Sequence, residues 1–131
     1  MFYFFFSGTD SICFCRWFCF DHTLIRFDEV RTHVGIVDLA AVRNSGRFTC
    51  EKDGLYQISV VMNSPTANTQ FSVQLNGNTV STLRLSNDNN IDAGTSVVAA
   101  DLQVGDIVWV QADSRFHVNY RWSCMTVVKV N

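Results

Sequence analysis

The chain has 131 residues, 47% hydrophobic and 17% charged, with a net charge of −2. That length supports one domain with its own core. The composition excludes disorder and collagen-like repeats, and the slightly acidic balance gives no electrostatic basis for nucleic-acid binding.

The first twenty residues, "MFYFFFSGTDSICFCRWFCF", hold seven of the eleven Phe and three of the five Cys. A secretory leader needs a basic start, an unbroken apolar run and a small-residue cleavage site. Here no Lys or Arg opens the segment, "SGTDS" breaks it and Arg16 interrupts the second apolar run. It is also too short and broken to span a membrane. Three readings stay open: a first β-strand at Phe2 to Phe6, a degenerate leader, or a start outside the folded domain. Residues 1–21 are therefore set apart from a domain at 22–131. Cys13, Cys15 and Cys19 could join His22 as zinc ligands; the alternative is three thiols in an apolar segment. With Cys50 and Cys124 the total is odd, so at least one thiol is unpaired or shared between chains.

From Leu24 onward the period is close to two. "TLIRF" sets Leu24 and Arg26 against Ile25 and Phe27. "GRFT" and "LYQISVVM" flank the break "EKDG" like two strands around a turn. The second places Tyr56, Ile58, Val60 and Met62 on one side. "QFSVQLNG" alternates with Phe71, Val73 and Leu75 in and Ser72, Gln74 and Asn76 out, a half-buried antiparallel strand. "NGN" at 76–78 is a hairpin turn, because Asn-Gly accepts the positive φ of a tight reversal. "TVSTLRL" returns, "SNDNNIDAG" at 86–94 reads as a polar loop, and "TSVVAADL", "IVWVQA" and "WSCMTVVKV" supply the remaining strands. Short strands at regular spacing predict an all-β sandwich. The Cys and Trp positions do not fit an immunoglobulin arrangement, so a jelly roll is preferred.

Three blocks, in order, carry a resemblance. "IRFDEVRTHVG" looks like the "FD-x-V-x-x-N-x-G" segment of the complement C1q globular domain, with His33 for Asn and Val37 before Asp38 where "YD" is common. "GRFTCEKDGLYQISVV" is similar to "G-[KR]-F-T-C-P-x-x-G-x-Y-x-F", with Glu51 for Pro and Ile58 for Phe. "LQVGDIVWVQA" looks like "L-x-x-G-D-x-V-W-[LV]". The resemblance covers about residues 22–130. The last strand, "SCMTVVKV", lacks the family's "F-[ST]-G-F" ending, and "YFFFSG" only approximates its first strand. The resemblance implies an all-β, ten-stranded antiparallel jelly roll of the kind shared with tumour necrosis factor, packed as a homotrimer. It implies an extracellular, secreted, lectin-like module of innate immunity that recognises patterns on microbial surfaces, carbohydrates or proteins. The alternative is a trimeric cytokine-like ligand for a cell receptor. Neither enzyme activity, nucleic-acid binding nor membrane insertion is expected.

Candidate sites are few. No nucleophile elbow or other catalytic signature surrounds any Ser, Cys or His. Asp88, Asn90 and Asp92 have the alternating oxygens of a calcium loop, but its sixth and twelfth positions are Ala93 and Ala99, so an EF-hand fails. No cofactor is implied; calcium is the one candidate ion, through Asp88, Asp92 and Asp113. Some family members hold calcium near the trimer apex through acids in the loop before the last strand, where this chain has Asp113. That loop, "DSRFHVNYRW", gathers Arg115, Phe116, His117, Tyr120 and Arg121. Arg and aromatic residues are enriched in binding hot spots, so these five are the ligand-binding candidates. Against this, Tyr120 and Trp122 could be packing residues at the start of the last strand.

Overall fold

The computed structural model describes residues 3–7, 23–25, 27, 29–33, 38, 40, 44–85, 92–119 and 122–130. They carry ten strands: β1 (Tyr3–Ser7), β2 (Thr23–Ile25), β3 (Glu29–His33), β4 (Phe48–Thr49), β5 (Gly54–Ser64), β6 (Thr69–Leu75), β7 (Asn78–Leu85), β8 (Asp92–Leu102), β9 (Ile107–Ala112) and β10 (Cys124–Lys129). Helical backbone among these residues is confined to positions 40 and 44–45. None of the described helices is long and apolar enough to cross a membrane.

The strands form two antiparallel sheets. One has the order β3-β1-β10-β5-β8; in the other, β2 and β4 share one edge of β9, followed by β6 and β7. Alternation in the sequence sets which face closes inward. Tyr56, Ile58, Val60 and Met62 of β5 and Met125 and Val127 of β10 meet Phe71 and Val73 of β6 and Val108 and Val110 of β9 in one core. Ile25, Phe27, Phe48, Leu102, Phe116 and Val118 are among the residues that join it. At the far edge the hydroxyls of Ser81 and Ser96 lie 2.6 Å apart and tie β7 to β8 across the sheets.

Two expectations need correction. Asp92, Ala93 and Gly94 belong to β8 and not to a loop, because β5 runs as far as Ser64 and β8 pairs along all of it, with Ser64 opposite Asp92. Ser72 and Gln74 face away from the core but are only 1% and 4% exposed. β6 lies between β7 and β9, so neighbouring side chains close over the short Ser72. Gln74 bends along the sheet, its Nε2 donating to Ser72 Oγ at 2.8 Å and Thr79 Oγ1 at 2.9 Å.

Two of the three recognisable sequence blocks meet at one end of the sandwich. Cys50 N–H donates to the Asp106 carbonyl (2.8 Å), and Gly105 N–H to the Cys50 carbonyl (2.9 Å). Asp53 Oδ1 accepts from Val104 N–H at 2.7 Å. Gly105 has a φ of 95°, which a residue with a Cβ adopts only under strain. Cys50 is a buried free thiol. The buried Tyr56 hydroxyl donates to the Lys52 carbonyl at 2.7 Å. Burial first, then the hydrogen bond with Cys50, pushes that phenol above its ordinary value. "FTC-x-x-x-G-x-Y" and "G-D-x-V-W" are thus the two sides of one knot.

Asp106 makes the knot sensitive to acid. Its carboxylate accepts from Gln103 N–H (2.8 Å) and Asn76 Nδ2 (3.0 Å). The Gln103 amide, then Asn76, holds it below the usual carboxylate range. A folded value below the unfolded one adds stability that is complete above the unfolded value and is lost as pH falls through the folded one. Denaturant titrations should therefore show stability falling below about pH 4, with a shallower acid limb in Asp106→Asn. Identical acid limbs would count against this role.

Candidate functional site

The opposite end carries the turn at 65–68, the connection at 113–123 and the facing strand ends Leu85 and Asp92. Its backbone is tied down by hydroxyls. Ser114 Oγ accepts from Gln70 N–H (2.9 Å) and donates to the Asn68 carbonyl (3.2 Å). Thr66 Oγ1 accepts from His117 N–H at 3.0 Å, and Asn119 N–H donates to the Asn63 carbonyl at 2.9 Å. Ser123 Oγ accepts from Asn63 N–H (3.0 Å) and donates to the Asn119 carbonyl (2.8 Å). The 113–119 stretch is therefore braced against β5 and β6, the kind of rigid base on which loops carry recognition.

Within it the side chains alternate. Arg115 is exposed and His117 half-buried, while Phe116 and Val118 point into the core. One candidate differs from the rest: Phe116 is 0% exposed and packs in the hydrophobic core, so it anchors the loop. Tyr120 and Arg121 lie outside the described residues. Trp122, for which packing at the start of the last strand was one of two open readings, is 67% exposed, with its N–H donating to the Asn119 carbonyl at 3.2 Å.

The calcium candidates are not gathered. No group of three or more His, Cys, Asp or Glu that could hold a metal occurs among the described residues. Asp92 Oδ1 accepts from Ala93 N–H (2.8 Å) and Asp113 Oδ1 from Gln111 Nε2 (3.2 Å). Asp88 lies outside the described residues, as do Cys13, Cys15, Cys19 and His22 of the zinc reading.

A second surface escaped the sequence reading. On the outer face of β9, the Arg47 guanidinium sits over the Trp109 ring, 5.3 Å from its centroid, a cation–π pair. Gln74 of β6 lies opposite Trp109, and Ser72 opposite Gln111. The signal was present in "IVWVQA": if Val108 and Val110 face in, Trp109 must face out.

The two sheets and their strand order define a jelly roll of the C1q and tumour necrosis factor type. The C1q domain family profile matches residues 19–125; the chain belongs to the C1q domain family. No curated relative matches by sequence. Among solved structures, the globular domain of zebrafish complement 1qA protein is similar, with a TM-score of 0.72 at 11% identity over 98% of this chain and 97% of that one. Murine APRIL at pH 5.0 superposes with a TM-score of 0.75 at 12% identity, covering 98% of both chains. Eiger TNF from S. frugiperda gives 0.69 at 14% identity, over 98% of this chain and 92% of that one. At such identities the likeness establishes the fold.

Proposed function

We propose that the chain is a secreted, non-enzymatic recognition module that assembles as a homotrimer and binds repeated groups on microbial, glycan or protein surfaces through the 113–123 end. The supporting observation is an exposed Arg115 and a largely exposed Trp122 on a connection held by six hydrogen bonds through its backbone and its Ser114 and Ser123 hydroxyls, and whose Phe116 is buried. An Arg guanidinium pairs with carboxylates or phosphates and an indole stacks on sugars, and both are frequent in hot spots. His117, Tyr120 and Arg121 are the further candidates.

The trimer reading rests on the outward face of the β3-β1-β10-β5-β8 sheet. Leu55, Val61, Val97, Ala99, Cys124 and Val128 lie on it, with Val97 59% exposed. Short side chains with little charge suit a second copy of the chain. Asn63 shares this face, and its buried Oδ1 has no hydrogen-bond partner among the described residues.

Three weak sites raise avidity by on the order of a hundredfold when the target repeats its groups. Arg115→Ala should therefore weaken binding to bacteria or immobilised polysaccharide by roughly tenfold or more, with the melting temperature and trimeric sedimentation retained. Wild-type binding by a folded Arg115→Ala trimer would remove this loop from the site, and a monomer in sedimentation would remove the avidity argument. The alternative, a cytokine-like ligand, requires saturable binding to one cell receptor and none to bacteria or polysaccharide.

A further inference from the structure

The hairpin tip between β6 and β7 holds Asn76 followed by Gly77, with φ of 52° and 88°. Asn before Gly is chemically the most labile amide pair in a chain, because Gly has no Cβ to shield its backbone nitrogen. That nitrogen attacks the Asn side-chain carbonyl carbon and loses its proton to solvent. The bond to Nδ2 breaks and ammonia leaves, giving a five-membered imide. Water then opens the ring to aspartate or isoaspartate. The tip is exposed, so water and base reach it.

Yet both ends of this amide are occupied. Asn76 Oδ1 accepts from Ile107 N–H at 2.9 Å, and Nδ2 donates to Asp106 Oδ1 at 3.0 Å. The Asn76 backbone N–H also donates to the Ile107 carbonyl at 2.9 Å. Ring closure needs the side-chain carbonyl to swing onto the Gly77 nitrogen, which breaks both side-chain bonds, one of them to a carboxylate.

We propose that Asn76 is a deamidation site kept closed by Asp106 and the Ile107 amide, and that its conversion turns this lock into a charge clash that opens the knotted end of the sandwich. The product at position 76 places a carboxylate oxygen where Nδ2 stood, against the Asp106 carboxylate, and two carboxylates cannot both stay ionised at that distance without cost. Asp106 is not free to retreat. Its N–H donates to the Gln103 carbonyl at 3.0 Å, and its carbonyl accepts from Cys50 N–H. Isoaspartate further lengthens the backbone inside a turn whose flanks, Leu75 and Asn78, pair directly. The lock that slows the reaction is thus also what makes its product disruptive.

The test is the full chain held at neutral pH and body temperature, with conversion at position 76 followed by peptide mass spectrometry and isoaspartate detection. Asp106→Ala should deamidate at Asn76 about ten- to a hundredfold faster than wild type, the loss of a hydrogen bond to a charged group. Asp53→Ala, which removes the Val104 N–H acceptor at the same end but leaves the Asn76 bonds in place, should react near the wild-type rate. Asn76→Asp should melt below wild type, and the gap should narrow in acid as the carboxylates are neutralised. An unchanged rate in Asp106→Ala, or equal acceleration in Asp53→Ala, would overturn the lock. A wild-type melting temperature for Asn76→Asp would overturn the clash.

Discussion

Phe116→Ala is expected to destabilise the domain by about 3–5 kcal/mol, a large share of the roughly 5–15 kcal/mol that holds a typical domain together. Phe116 is fully buried and joins the core from the connection between β9 and β10. Its removal leaves a cavity that the surrounding strands cannot close, since their backbones are fixed in both sheets. The melting temperature should fall by roughly 10 °C or more. The loss should be felt twice. Without this anchor Arg115 and His117 lose their fixed direction, so ligand binding should weaken even below the melting transition. Arg115→Ala, on the exposed side of the same stretch, should shift stability by no more than about 0.5 kcal/mol. The contrast between adjacent residues is the measurement, by thermal melts and binding on the same samples. Equal stability of the two variants would mean that Phe116 does not plug the core.

Deletion of residues 1–8 should have the second large effect: loss of cooperative folding, or aggregation. β1 lies between β3 and β10, paired with β10 from Tyr3 opposite Val128 to Ser7 opposite Cys124, and with β3 from Phe4 opposite His33 to Ser7 opposite Glu29. Removing it bares one edge of β10 from Cys124 to Val128, while the other edge stays paired with β5. An uncovered row of N–H and C=O groups is a template for pairing with other chains. Light scattering and circular dichroism of the truncated protein decide the matter. A monodisperse variant with the wild-type melting temperature would show the segment to be an appendage.

Much of this fold was legible because a strand with one buried face writes its burial into alternate residues. Tyr56, Ile58, Val60 and Met62 were read as one face and are one face of the core. Asn76-Gly77 marked the hairpin because few residue pairs accept positive φ twice. Two of the motif blocks are recognisable because the contacts that knot one end of the sandwich require particular residues, among them a Gly at φ 95° and a carboxylate at position 106. The status of the first residues was not legible. A run of Phe is compatible with a strand, a leader or a stray segment, and the choice depends on whether β10 and β3 leave a space of the right width between them.

Alternation and turn chemistry, which are local properties, determined by themselves that this chain is an antiparallel sandwich, and they assigned the inward face of most strands; the motif blocks added its likeness to the C1q domain. The tertiary structure alone decided what the candidate site is made of. Arg115 and Phe116 are neighbours in a segment that composition marks as one hot spot, but one is exposed and the other is core. Composition cannot separate them, because direction in an irregular connection is set by the hydroxyls of Thr66, Ser114 and Ser123 that pin it to distant strands. The same holds for Asn76, whose lability is written in two adjacent residues. Its protection comes from Asp106 and Ile107, about thirty positions away in sequence and joined to it only by the pairing of β6 with β9.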